Sequence, residues 1–128
     1  MAKILLIDQS VEFRTMVKSI LERDSHQVTV AEPDRMAANS FAIEGATSAI
    51  DLVIVDVETL SADVVEAIGR LERANPRVRV LALSEDRGPA ALNELPKAAL
   101  ELRATMMISR SFSVAELLGA VQNLLTMP

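Results

Sequence analysis

Asp51-Leu52-Val53-Ile54-Val55-Asp56 is four apolar residues in a row, three of them β-branched, set between two acids. The run is too short for a helix and does not alternate between apolar and polar. It reads as a β-strand covered on both faces, the mark of a parallel sheet with helices above and below. Working outward, similar runs stand at Lys3–Ile7, Val78–Leu83 and Thr105–Ile108. A fifth, Val28–Ala31, belongs to Gln27-Val28-Thr29-Val30, which alternates as an edge strand should.

Helical spacing fills the intervals. Phe13, Met16, Val17, Ile20 and Leu21 recur at i, i+3, i+4, i+7 and i+8, and Val114, Leu117, Leu118, Val121, Leu124 and Leu125 form a longer stripe. Ser113-Val114-Ala115-Glu116 predicts a capping box at the start of the last helix. Asn75-Pro76 closes the third, because proline restricts the residue before it and cannot extend a helix. In the fourth helical segment Leu92, Leu95, Ala99 and Leu102 surround Pro96, which predicts a kinked or split helix, or one that begins near Pro96.

Five strand–helix units in strict alternation make one α/β domain over residues 1–128, a doubly wound parallel sheet. In such sheets the functional crevice lies beyond the C-terminal ends of the strands, where the strand order reverses. The residues placed there are Asp8 and Gln9 after the first strand, Asp56 after the third, Ser84 after the fourth and Arg110 after the fifth. Two acids, an amide, a hydroxyl and a cation converging on one edge are a chemical inventory rather than a random draw.

Composition narrows the classes. Half of the 128 residues are apolar, yet there are three Phe and no Tyr or Trp, so the core must be aliphatic. A net charge of -5 argues against a domain built to hold nucleic-acid phosphates. The densest basic stretch, Arg70, Arg73, Arg77 and Arg79, reads as cations near a helix C-terminus. No cysteine means no disulfide framework and no thiolate metal site. The opening MAKILLID is too short to span a bilayer and has no cleavage pattern, so the expected location is cytoplasmic and away from membranes. His26, alone of its kind, lies in a polar turn and is expected to be inert, and Glu12 sits where a carboxylate favours a helix dipole.

Asp51-Leu52-Val53-Ile54-Val55-Asp56, Leu83-Ser84 and Ser109-Arg110-Ser111-Phe112 resemble, in order and spacing, the landmarks of the response-regulator receiver domains of two-component signalling. The resemblance spans nearly the whole chain. It implies a flavodoxin-like five-stranded sheet of order 2-1-3-4-5 and a signalling module rather than an enzyme. It further implies that Asp56 accepts a phosphoryl group from a histidine kinase or phosphotransfer protein, with Mg²⁺ held by Asp8 and Asp56. Ser84 would donate to a phosphoryl oxygen, and Arg110 stands where the family has Lys. A downstream protein target is implied, as is a homodimer through the fourth-helix, fifth-strand and fifth-helix face.

Several residues depart from the family's pattern. Gln9 replaces the second acid of the usual pair, and an amide oxygen brings no net charge to a metal, so the Mg²⁺ site should be weakened. Glu58, two positions after Asp56, is the candidate for the missing carboxylate. Ser111 replaces a proline, Met107 replaces the aromatic that carries the signal outward, and Leu60 and Val64 replace a Pro and a Gly after Asp56. These changes motivate a rival expectation, a phosphorylation-independent pseudo-receiver kept for docking. A flavin carrier on the same fold lacks the aromatics that would sandwich its ring and a Ser/Thr/Gly loop after the first strand. No output segment follows Pro128, which suits a stand-alone receiver or a piece of a larger regulator.

Overall fold

The structure, a computed structural model, describes residues 2–32, 50–85 and 104–127. Within them run β1 (Lys3–Ile7), α1 (Val11–Arg23), β2 (Gln27–Ala31), β3 (Leu52–Asp56), a 3-10 turn (Val57–Thr59), α2 (Ala62–Ala74), β4 (Arg79–Ser84), β5 (Met106–Ser109) and α3 (Val114–Leu125). All five strands pair in parallel in the order β2-β1-β3-β4-β5, the flavodoxin-like order expected. The segment around Pro96, and the helix expected between the second and third strands, lie outside the described residues.

The aliphatic strands divide the core by parity. Leu5, Ile7, Val53, Val55, Val80 and Ala82 face one side, where Val64, Ala67, Ile68 and Leu71 of α2 cover them. Ile4, Leu6, Leu52, Ile54, Leu81 and Leu83 face the other, beneath Val17 and Leu21 of α1 and Leu117, Val121 and Leu124 of α3. Each such side chain, fully buried, contributes roughly 1.5–3 kcal/mol. The double-sided burial of β3 explains why its sequence is continuous rather than alternating.

Both helix ends read from sequence are present. Ser113 Oγ accepts the Glu116 N–H at 3.1 Å while a Glu116 carboxylate oxygen accepts the Ser113 N–H at 3.2 Å. Asn75 ends α2 and its side chain bonds in two directions. Its Nδ2 donates to the Ile50 carbonyl at 2.9 Å, and its Oδ1 accepts the Arg77 N–H at 3.1 Å.

Three expectations need correction. On α1 Met16 is 45% exposed, while Arg14 takes a buried place and reaches Glu32 at 3.6 Å. Its alkyl stem covers apolar surface in the way long cationic side chains do. On α3 Val114 is exposed, because it precedes the turn that meets the sheet. The fifth strand is a sheet edge and is not buried on both faces, with Met107 44% exposed. Of the four arginines, Arg73 lies in the last turn of α2 and Arg70 one turn earlier, paired with Glu66 at 2.9 Å, so these two stand near a helix C-terminus as expected, while Arg79 opens β4.

His26 is more than a turn residue. Its Nδ1 accepts the Ala2 N–H at 3.3 Å and its Nε2 lies 3.4 Å from an Asp24 carboxylate oxygen, tying the turn before β2 to the start of the chain. Ser25, at φ 70°, makes that turn in the left-handed region.

Candidate functional site

Strand parity brings the two acids together. Ile4, Leu6 and Asp8 succeed one another on one face of the chain, as do Leu52, Ile54 and Asp56. β1 and β3 are in register through Ile7–Val55, and each acid stands one residue further on. Both carboxylates are thus placed side by side at the C-terminal edge, and both are nearly closed to solvent, 1% and 4% exposed.

Two buried carboxylates in proximity repel and lose hydration, so each needs partners. Each obtains the same two kinds. Asp8 Oδ1 accepts the Ser10 N–H at 2.8 Å, and Asp56 Oδ1 accepts the Glu58 N–H at 3.1 Å, both tight turns two residues long. The remaining oxygens converge on one donor: Arg110 Nη1 lies 2.8 Å from Asp8 Oδ2 and 2.5 Å from Asp56 Oδ2. Burial pushes the Asp56 carboxyl above its ordinary value, and the charges of Asp8 and Glu58 push the same way. The Glu58 N–H and the Arg110 guanidinium pull it back without cancelling the rise.

Arg110 is delivered by β5, whose Ser109 pairs with Ser84 of β4, and its own N–H donates to the Ser84 carbonyl at 2.8 Å. Ser84 itself is half-buried at the same edge, with its hydroxyl turned to the Glu85 carbonyl at 3.3 Å. Gln9 is exposed and Glu58 half-buried in the 3-10 turn that Asp56 caps. Around that turn Val57, Leu60 and Val64 are buried, so the residues standing in place of Pro and Gly serve the core.

Sequence reasoning placed Phe13 on the core face of α1 and gave it no part in the site. Its ring centroid lies 3.9 Å from the Arg110 guanidinium carbon, and Phe112 meets the same ring edge-on at 5.8 Å. A signal was available: two of only three phenylalanines sit within five residues of a strand-end site residue.

A model of the response regulator receiver domain matches residues 4–122. The chain belongs to that family. Receiver domains accept a phosphoryl group on an aspartate in two-component signalling, so this receiver is a signal-transduction module of that type. Solved structures share its fold at identities below one quarter. A response regulator from Thermotoga maritima is 24% identical over 98% of both chains, with TM-score 0.68. The Vibrio cholerae chemotaxis protein CheY4 is 23% identical over 97% of this chain and 98% of its own, with TM-score 0.69. NtrX of Brucella abortus is 23% identical with TM-score 0.70, and the match covers 97% of this receiver but 26% of that longer chain. No curated protein matches the sequence.

Receiver domains generally hold Mg²⁺ at the phosphorylation site. The donor set here fits such an ion with two carboxylates, leaving water and phosphoryl oxygens to complete an octahedral shell. Among the described residues no group of three acidic, histidine or cysteine side chains is gathered to hold a metal. No helix among them is long and apolar enough to cross a membrane.

Proposed function

We propose that Asp56 is the phosphoryl acceptor of this receiver, within a single domain spanning residues 1–128. The observation that carries the proposal is the convergence of Asp8 and Asp56 on Arg110 Nη1 at the C-terminal edge of β1 and β3. An Asp56 carboxylate oxygen forms the new O–P bond as the N–P bond of a donor phosphohistidine breaks and the imidazole leaves. Little covalent work falls to the other residues, so positioning and charge dominate.

Asp8 and Asp56 would hold Mg²⁺, with Gln9 and Glu58 at the rim as further oxygen donors. The ion supplies neutralisation of charge between carboxylate and phosphoryl oxygens. Arg110, which already carries two carboxylates on one nitrogen, has further N–H donors on its other nitrogens suited to phosphoryl oxygens. Ser84 needs only to rotate its hydroxyl from the Glu85 carbonyl to donate to the phosphoryl group. Phosphorylation replaces one buried negative charge with roughly two, which engages Arg110, draws Ser84 inward and biases the surface formed by β5 and α3.

The donor is a histidine kinase or phosphotransfer protein, and the receiver of the signal is a downstream protein, with homodimerisation through a face that includes β5 and α3. The action is cytoplasmic and involves neither nucleic acid nor membrane directly. Mass spectrometry after incubation with a small phosphodonor and Mg²⁺ tests the central claim. A single added phosphoryl group, lost in Asp56→Asn, is expected. An unmodified wild-type chain, or an equally modified Asp56→Asn, refutes it.

A further inference from the structure

The atom on which the two carboxylates converge belongs to a cation of this chain's own. Arg110 Nη1 engages Asp8 Oδ2 and Asp56 Oδ2 together, and the backbone N–H groups of Ser10 and Glu58 engage the two Oδ1 atoms. A divalent ion held by both acids would compete with Arg110 for their negative charge. The resting site is therefore neutralised in part by a cation from its own chain.

That cation is held from two sides. The Arg110 N–H donates to the Ser84 carbonyl, which fixes the start of the side chain. At the far end the guanidinium lies over the Phe13 ring at 3.9 Å, and Phe112 braces that ring edge-on at an interplanar angle of 65°. Phe13 is itself tied to the acid pair by a short hydrogen-bonded path. Its N–H donates to Ser10 Oγ at 3.2 Å, and the Ser10 N–H donates to Asp8 Oδ1. A planar guanidinium can stack on a ring while donating in its own plane, whereas a lysine ammonium has no flat face to stack.

We propose that Phe13 is a positioning residue: its ring holds the Arg110 guanidinium between Asp8 and Asp56, so that Mg²⁺ enters only in competition with this built-in cation. The proposal rests on the reading of Asp8 and Asp56 as the metal-binding pair. It makes metal loading an exchange of one cation for another, in which Arg110 would leave the ring and become available to phosphoryl oxygens.

The test is a Mg²⁺ titration followed by NMR chemical shifts in the wild type, Phe13→Leu, Arg110→Ala and the double variant. Phe13→Leu removes no charge, yet should tighten Mg²⁺ binding about 3- to 10-fold, the range of a cation–ring contact. In the Arg110→Ala background the same change should have no effect. In the wild type, the Arg110 side-chain resonances, shielded over the ring, should move downfield as Mg²⁺ saturates. That last measurement decides the matter if Phe13→Leu does not fold. Equal affinity in the wild type and Phe13→Leu overturns the proposal, as does an equal effect in both backgrounds or an unmoved Arg110 signal. Binding of equal strength in all four proteins overturns this inference alone. Absence of Mg²⁺ binding from all four removes the metal-pair reading on which it rests.

Discussion

Asp56→Asn should stabilise the resting receiver near neutral pH, although it removes an ion pair. The Asp56 carboxyl is buried, and that burial raises its folded-state pKa above the ordinary 3.8 despite Arg110 and the Glu58 N–H. Above pH 3.8 the folded state keeps a proton that the unfolded chain has released, so stability falls as pH rises through this window. Once the folded-state carboxyl has also ionised, the loss is complete and constant. The amide introduced by Asp56→Asn has no charge to desolvate and escapes it.

The size follows from opposing contributions at the site. Burying an ion costs several kcal/mol, and charge-assisted hydrogen bonds return about 1.5–3 kcal/mol each. The amide keeps one carbonyl oxygen for either the Glu58 N–H or Arg110, and Arg110 keeps Asp8. The balance is a gain of about 1–2 kcal/mol at pH 7, or roughly 4–8 °C in melting temperature for a domain of this length. Urea unfolding of both proteins across a pH series is the assay. The gain should be largest at pH 7 and shrink as pH falls towards 3.8. A less stable Asp56→Asn at pH 7, or a gain that does not vary with pH, would refute the reasoning.

Glu58→Ala should weaken Mg²⁺ binding, the outcome expected of a rim carboxylate proposed to offset Gln9; an unchanged titration removes Glu58 from the metal shell. Ser113→Ala breaks one arm of the α3 capping box and should cost about 1 kcal/mol, read as a lower urea midpoint with an unchanged slope.

Much of the architecture was legible in the chain because it depends on local rules. The unbroken run from Leu52 to Val55 could only be a doubly covered strand, and β3 is buried along its whole length. The capping box at Ser113 and Glu116, and the stop at Asn75, are short-range hydrogen-bond patterns whose partners lie a few residues apart. The edge character of β2 was visible in its alternation, whereas β5 hid its own behind the apolar or methyl-bearing run Thr105–Ile108. Exposure at a sheet edge depends on what lies beside it, which sequence does not state. The exchange of Met16 for Arg14 on the buried side of α1 has the same origin: a long cationic stem can be covered when Glu32 waits at the end of another strand.

The sequence by itself determined that Asp8, Asp56, Ser84 and Arg110 stand at strand ends, because short apolar runs and their boundaries can be counted along one chain. Tertiary structure alone decided what those ends do to one another. Residues 8, 56 and 110 meet only because β1, β3 and β5 share one sheet, and that pairing sets both carboxylates on a single Arg110 nitrogen. The Phe13 ring beneath that arginine, and the rise in the Asp56 pKa, likewise arise from burial between elements distant in the chain. Charge burial and ring stacking depend on separations of a few ångströms, and no spacing along the chain encodes them.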